Sequence, residues 1–264
     1  MSLQEEIIAR FGVKPVIDPE EEIGKRVAFL KHHMKQAGAR GLLVAITDEA
    51  DSAVAAALCK RAADSLTEES GRTYMTVGVL QPYGEEPELE ACYALAGALG
   101  LKHVIETNTE DAVNEIALES EFGLKSMGIH QHLGRGGKER VKARTRRIMQ
   151  GALAGELNLL VVSHDHASKS AAGTSAAEAW AGTDVRPLAS LTGNQIRQLA
   201  AALGIPGKAA GVLKHGTAEF SLSVVSLEDF SLYLEGGTLP EATRDKLEEQ
   251  YRRTEKLRSL PPGI

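Results

Sequence analysis

GLLVAITDEADSAVAAALCKRA, residues Gly41 to Ala62, sets a buried strand, a tight turn and a helix in immediate succession. The apolar run Leu42-Leu43-Val44-Ala45-Ile46 is continuous rather than alternating, as in a parallel strand covered on both faces. Ala53 to Ala63 is alanine-rich and predicts a helix. In open α/β sheets such a junction is where a nucleotide phosphate sits, because the first amides of a helix point at it. The turn here, Thr47-Asp48-Glu49-Ala50-Asp51-Ser52, has no glycine and carries three acids. Two readings therefore stand side by side at this turn: a phosphate site, or a plain strand-to-helix connection in which Asp48 or Asp51 caps the helix.

Outward from this junction the chain is that of an ordinary α/β protein. Its 264 residues suffice for one large domain with a full core, and we read residues 1–264 as a single domain. The formal charge of −6 offers no basic face of the kind that displaces counterions from nucleic acid, so no nucleic-acid partner is expected. Cys59 and Cys92 fall in helical patterns and read as small core residues in a reducing compartment. No stretch approaches ~18 consecutive apolar residues, so no membrane span is expected, and a cytoplasmic location follows from these features.

Taken in order, residues 2–11 predict a short amphipathic helix ended by Gly12. Asp18-Pro19-Glu20-Glu21 predicts a second start: a capping carboxylate, proline at the first helical position, and acids at the positive end of the helix dipole. Ile23, Val27, Leu30 and Met34 follow at helical spacing until Gly38. Tyr74 to Leu80 predicts a second strand, ending in the turn Gln81-Pro82-Tyr83-Gly84. A helix over Glu88–Leu99, a strand over His103–Glu106 and a helix over Asp111–Phe122 come next. An irregular glycine-rich segment, 128–137, precedes a long basic helix over Lys138–Leu153, and Leu157–Val162 predicts a fourth strand. Ser163 to Gly182 reads as a loop with a weak helical part. Helices over Asn194–Leu203 and Pro240–Leu257, with an extended piece over Phe220–Val225, complete the chain. Strands alternating with helices predict a doubly wound parallel sheet.

Other chemical signals are weaker. The basic run Arg140 to Arg147 reads as a solvated or subunit-facing helix, with Arg144 as the alternative anion ligand. His130-Gln131-His132 and His164-Asp165-His166 have a spacing that sets two imidazoles on one side of an extended segment, but neither has a third ligand cluster to complete a metal site. His32-His33 reads as a solvated helix face and Trp180 as a packing residue. Ser52 lacks the elbow glycines and nearby base of a nucleophile, so no covalent catalysis is expected.

Islands along nearly the whole chain, in order and at matching separations, resemble the ammonia-dependent NAD synthetase family. They are SLQEEII from Ser2, LLVAITDEADS from Leu42, PYG at 82–84, KARTR from Lys142, LLVVSHDHA from Leu159, GTDVRPL from Gly182, GTAE from Gly216 and DFSLYLEG from Asp229. The resemblance implies a Rossmann-like, adenine nucleotide alpha hydrolase-like α/β fold, a homodimer, ATP and magnesium as cofactors, and deamido-NAD and ammonia as substrates. Its ATP positions fall on Thr47, Asp51, Ser52, His164 and Thr217, its dinucleotide positions on Arg144 and Asp184, and its magnesium ligand on Asp51.

Against the family's Ser-Gly-Gly-x-Asp-Ser turn, both glycines are acids here, Asp48 and Glu49. In the Gly-Thr-Asp-x-x-x-Glu segment the threonine is His164 and the metal-binding glutamate is Lys169. A substrate-contacting lysine becomes Ala177 and an ATP-contacting lysine Gly193, the Pro-Thr-Ala-Asp element is Gly216-Thr217-Ala218-Glu219, and a His-Lys pair becomes Lys256-Leu257. The family's amidation of deamido-NAD and a catalytically silent member acting as a dimeric scaffold or binding module are therefore the two functions to be separated.

Overall fold

A computed structural model describes residues 2–129, 132–174, 182–206 and 225–258. Within them, four parallel strands form a single sheet: β1 Gly41–Ala45, β2 Met75–Leu80, β3 His103–Glu106 and β4 Leu160–Val162. The strand order is β3-β2-β1-β4, so the chain winds outward from β1 in one direction and then crosses to its other side. The reversal lies between β1 and β4, and the crevice outside the carboxyl ends of those two strands is the ligand position of this architecture. β1 pairs with β2 from Gly41↔Met75 to Ala45↔Val79 and with β4 from Leu42↔Leu160 to Val44↔Val162.

Successive side chains of β1 feed opposite faces, as strand geometry requires. Leu42 and Val44 join the larger core with Ile23, Leu30 and Met34 of helix α2 (Pro19–Ala37), much of helix α3 (Ala50–Ser70), and Ile196 and Leu199. Leu43 faces the other way, onto Val77, Val79, Val161 and Ala154. Both faces are thus covered, which explains the unbroken apolar run.

The local signals for α2 hold in detail. Asp18 Oδ1 accepts from the Glu21 amide at 2.9 Å, Pro19 is the first helical residue, and Gly38 ends the helix in the left-handed region. Helix α1 spans Leu3–Phe11, closed by Gly12. Helices α4 (Leu89–Ala98), α5 (Glu110–Ser126) and α6 (Arg135–Leu157) follow the expected order.

Three expectations require correction. Helix α3 starts at Ala50, so Asp51 and Ser52 lie in its first turn and Glu49 is the capping residue, without a side-chain cap hydrogen bond; neither Asp48 nor Asp51 fills that role. Helix α6 absorbs Gly136, Gly137 and Leu157, leaving a fourth strand of three residues. The segment read as a loop after Ser163 contains a buried helix, α7 (Ala167–Ala172), whose small residues pack under Phe230, Tyr233 and Leu234 in a separate core. Small size, rather than weak propensity, is what those alanines and serines contribute. The later helices are α8 (Gly193–Ala202), α9 (Leu227–Leu234) and α10 (Glu241–Arg253). The expected extension over 220–224 and the residues Trp180, Ala177, His130, Gln131 and 216–219 lie outside the described residues.

Candidate functional site

A cleft of about 550 Å³ opens at the carboxyl ends of β1 and β2, beside the β1–β4 reversal. Its apolar floor includes Ile46, Val79, Leu80, Leu89 and Cys92. Its lining carries the acids Asp48, Glu49, Glu86 and Glu88 together with Arg146, Arg147 and His164, and Arg146 Nη2 pairs with Glu86 Oε1 at 3.6 Å. The two arginines come from one face of α6, where Ala143, Arg146, Arg147 and Gln150 recur at i, i+3, i+4 and i+7 and all line the cleft. Gln81 ties that face to β2. Arg146 Nε donates to the Gln81 carbonyl at 3.1 Å, the Gln81 side chain donates to the Arg146 carbonyl, and Gln150 Nε2 donates to Gln81 Oε1 at 2.6 Å. Burial lowers the Arg147 pKa, an effect that the Asp165 carboxylate partly offsets.

At the turn itself the side chains and amides are engaged with one another. The Thr47 amide donates to Ser52 Oγ at 2.8 Å, the Glu49 amide to Thr47 Oγ1, the Ser52 amide to Asp51 Oδ1 at 2.7 Å, and the Ala53 amide to the Glu49 carbonyl. Glu49 has φ −95° and ψ 148°, an ordinary extended conformation. The turn therefore accepts an acid here without strain, and what it lacks is the open backbone approach that a glycine would leave.

The dominant feature is an ion triad. Lys169, on α7, places Nζ 2.5 Å from Glu49 Oε2 and 2.7 Å from Asp51 Oδ2. The three side chains are largely withdrawn from water, at 16% exposure for Lys169, 21% for Glu49 and 3% for Asp51. Burial opposes the charge on Lys169, but Asp51 and Glu49 outweigh it and hold the ammonium well above the usual lysine range. Burial likewise opposes the charge on Asp51, and Lys169 with His164 and His166 holds that carboxyl well below its usual range. Glu49 is raised by burial, against the pull of Lys169.

Helix α7 is fixed from several directions so that Lys169 reaches this position. The Ala167 amide donates to the Leu191 carbonyl at 2.8 Å, and Gln250 Nε2 and Arg258 Nη1 donate to the carbonyls of Ala172 and Ala171. Gly173 closes the helix at φ +72°, and a Cβ there would stand 2.4 Å from Thr254 Cβ, so only glycine fits between α7 and the end of α10.

These contacts test the magnesium that the resemblance implies. Asp51 has both oxygens occupied, one by the Ser52 amide and one by Lys169, and Lys169 replaces a carboxylate with a cation. At ~4 Å and an effective dielectric of about 20, a divalent ion and an ammonium repel by roughly 8 kcal/mol. The residues present do not fit a magnesium ion.

The remaining predicted positions divide. Thr47 and His164 line the cleft, and Asp51 and Ser52 lie buried beneath it. Arg144 is exposed and does not line the cleft; the residues of α6 that do are Arg146, Arg147 and Gln150. Asp184 is a sheet-edge residue whose Oδ2 accepts from the Val161 amide at 2.7 Å, while its own amide donates back to the Val161 carbonyl. Thr217 lies outside the described residues. Among the described residues no His, Cys, Asp and Glu group has metal-binding geometry. His132 pairs with Glu121 at 2.8 Å. His166 is buried with Nδ1 unpartnered. Cys59 and Cys92 are buried free thiols, and the Cys92 pKa is pushed up to about 11, chiefly by burial. Among the described residues no helix is long and apolar enough to cross a membrane.

Comparison with known proteins places this arrangement in a lineage. The NAD synthase family profile matches residues 22–231. The NH(3)-dependent NAD(+) synthetase of Nocardia farcinica is 32% identical over 270 residues, covering 98% of this chain and 96% of that protein. The NH(3)-dependent NAD(+) synthetase of Bacillus subtilis is 32% identical over 278 residues, covering 100% of this chain and 98% of that protein. The crystal structure of an NAD+ synthetase from Burkholderia pseudomallei superposes with a TM-score of 0.82 at 26% identity, covering 98% and 96% of the two chains. The parallel sheet, its β1–β4 reversal and this full-length similarity agree: the chain belongs to the NAD synthase family.

Proposed function

We propose that this chain is a catalytically silent NAD synthase-family protein, a single-domain dimeric scaffold or binding module, and not an enzyme that amidates deamido-NAD with ATP and ammonia. One observation carries the reading: the Lys169 ammonium bridges Glu49 and Asp51 across the turn where the family relatives' resemblance puts pyrophosphate and magnesium. A triphosphate approaching it meets Asp48 and Glu49 at short range, and the Glu49 and Ser52 amides already have acceptors. The enzymatic alternative rests on the cleft, which keeps its place at the sheet reversal and its Arg146 and Arg147 side chains.

Calorimetric titration with ATP and magnesium, beside an assay for NAD from deamido-NAD, ATP and ammonia, separates the two. No heat with either nucleotide and no NAD is the expected result; NAD formation above a protein-free control would sink the silent reading. Repair of the site is also predictive. Asp48→Gly with Glu49→Gly alone leaves ATP binding undetectable, because Lys169 still holds Asp51. Adding Lys169→Glu restores the charge pattern and raises Mg-ATP affinity by at least about tenfold, the equivalent of one charge-assisted contact. Equal affinity of the double and triple variants would show that Lys169 is not the obstacle.

The dimer rests on an uneven surface. Six of the ten exposed large apolar residues described lie on α5, on α6 or between them: Ile116, Leu118, Phe122, Met127, Ile129 and Ile148. Apolar surface gathered in one region is a docking feature. Phe122→Glu is expected to weaken self-association by about 2 kcal/mol, roughly 30-fold in dissociation constant, read by sedimentation. Unchanged association would move the interface elsewhere. The buried thiols Cys59 and Cys92 suit a reducing compartment such as the cytoplasm.

A further inference from the structure

We infer that the cleft binds a small apolar monocarboxylate, with the carboxylate on the Arg147 guanidinium and the hydrocarbon body against Leu89 and Ala143. The inference rests on the reading of this chain as a binding module and deepens it, since it gives the cleft a ligand that is neither a nucleotide nor a metal complex.

The charges lining the cleft are unevenly matched. Glu49 is held by Lys169 at 2.5 Å. Glu86 accepts from the Tyr83 amide at 2.9 Å and faces Arg146 at 3.6 Å, and Asp165 accepts from Ser163 Oγ at 2.9 Å. Asp48 and Glu88 are engaged as well. Arg147 differs. Its Nη1 donates to the neutral Gln150 Oε1 at 2.8 Å, and among the described residues it makes no ion pair. Asp165 attracts it from beyond ion-pair distance. A half-buried guanidinium that lines a cleft without a carboxylate against it is an open position for an anion, because an arginine keeps its charge and most of its N–H donors remain.

The aim of this guanidinium is fixed before any ligand arrives. Gln150 is 3% exposed and its Nε2 donates to Gln81 Oε1 at 2.6 Å, so the amide that holds Arg147 is itself anchored at the end of β2. A planar fork held in this way matches a carboxylate. The family resemblance puts no ligand on Arg147; its dinucleotide position on α6 is Arg144, which does not line the cleft. The rest of the lining decides the ligand's other features. Ala143, one turn before Arg147, is exposed and Leu89 is half-buried, and both offer apolar contact inside the cleft. The carboxylates of Asp48, Glu49, Glu86, Glu88 and Asp165 oppose a second negative charge, which favours a carboxylate over a phosphate ester. A volume of about 550 Å³ is that of a small-molecule site.

Calorimetric titration of the full-length chain with acetate, butanoate and hexanoate tests the inference, beside hexyl phosphate and hexylammonium. Affinity is expected to rise along the carboxylate series by up to about fourfold per methylene. Hexyl phosphate is expected to bind at least about tenfold more weakly than hexanoate, and hexylammonium to give no heat. Arg147→Met weakens hexanoate by at least about tenfold, whereas Arg147→Lys, which keeps the charge, weakens it less. No heat with hexanoate at millimolar concentration would overturn the inference, as would equal hexanoate affinity in wild type and a folded Arg147→Met, or tighter binding of hexylammonium than of hexanoate. Arg147→Gln carries the same comparison where the methionine variant does not fold. The two failures are separable: a chain that binds no hexanoate and forms no NAD defeats only this inference, whereas NAD formation above a protein-free control defeats the silent reading whatever hexanoate does.

Discussion

Lys169→Ala destabilises the chain by about 3–5 kcal/mol, the cost of leaving buried charges without their partner. Asp51 is 3% exposed and Glu49 21%, so water cannot replace the ammonium fully at either carboxylate. Urea unfolding at neutral pH measures the loss. Neutralising the whole triad, as Glu49→Gln with Asp51→Asn and Lys169→Met, recovers most of it, because the desolvation of three charges disappears together with their attraction. A Lys169→Ala loss below about 1 kcal/mol would place the triad among surface ion pairs instead. The pH dependence has a definite sign. Asp51 is depressed in the fold, so its contribution is present above the ordinary carboxylate range and is lost as pH falls through the depressed value. Lys169 is raised, so its contribution is present below the ordinary lysine range and is lost only as pH climbs past the raised value. The Asp51–Lys169 pair is consequently at full strength across neutral pH.

The parts of this picture legible in the sequence were those governed by local rules. Asp18-Pro19 marked a helix start because capping and proline geometry are properties of adjacent residues, and the continuous run at Leu42 marked a strand covered on both faces. The chain order of strands implied the sheet. Departures of Asp48, Glu49 and Lys169 from the family pattern were also visible, but as three separate defects. Their joining into one ion triad depends on how α7 crosses the β1–β4 reversal, a long-range relation that spacing does not encode. Sequence alone does not separate Arg146 and Arg147 from Arg144, because the inward face of α6 depends on its phase against β2, where Gln81 bonds to Arg146 from 65 residues away. The i, i+3, i+4, i+7 stripe of Ala143, Arg146, Arg147 and Gln150 was the available signal. Ala-Ser composition at α7 disguised a buried helix as a loop, since small residues are equally at home in both until something large, here Phe230 and Tyr233, packs over them.

His166 makes the fold acid-sensitive in a window where Asp51 and Lys169 are not yet titrating. The residue is 4% exposed, Nδ1 has no partner, and Cε1 lies 3.7 Å from the position of a Cβ at Gly193, so there is little room for a solvating water. Burial lowers its pKa to about 4; Asp51 and Asp165 pull the other way, while Lys169 and His164 add to the depression. A histidine that is neutral in the fold and titrates near 6.5 when unfolded leaves the unfolded chain binding the extra proton between those values. Stability is therefore intact above about pH 6.5 and falls as pH drops toward about 4, by about 3 kcal/mol over the window. Below it the loss from Asp51 begins. Denaturant unfolding measured at intervals across that range should show the slope in wild type, and His166→Gln, which carries no titrating group, should remove it while leaving the neutral-pH stability within the range of a polar core substitution. A slope that survives in His166→Gln would assign the acid sensitivity to another group, and that group is not Glu49, because a carboxyl raised by burial binds its proton more tightly in the fold and gains stability as pH falls.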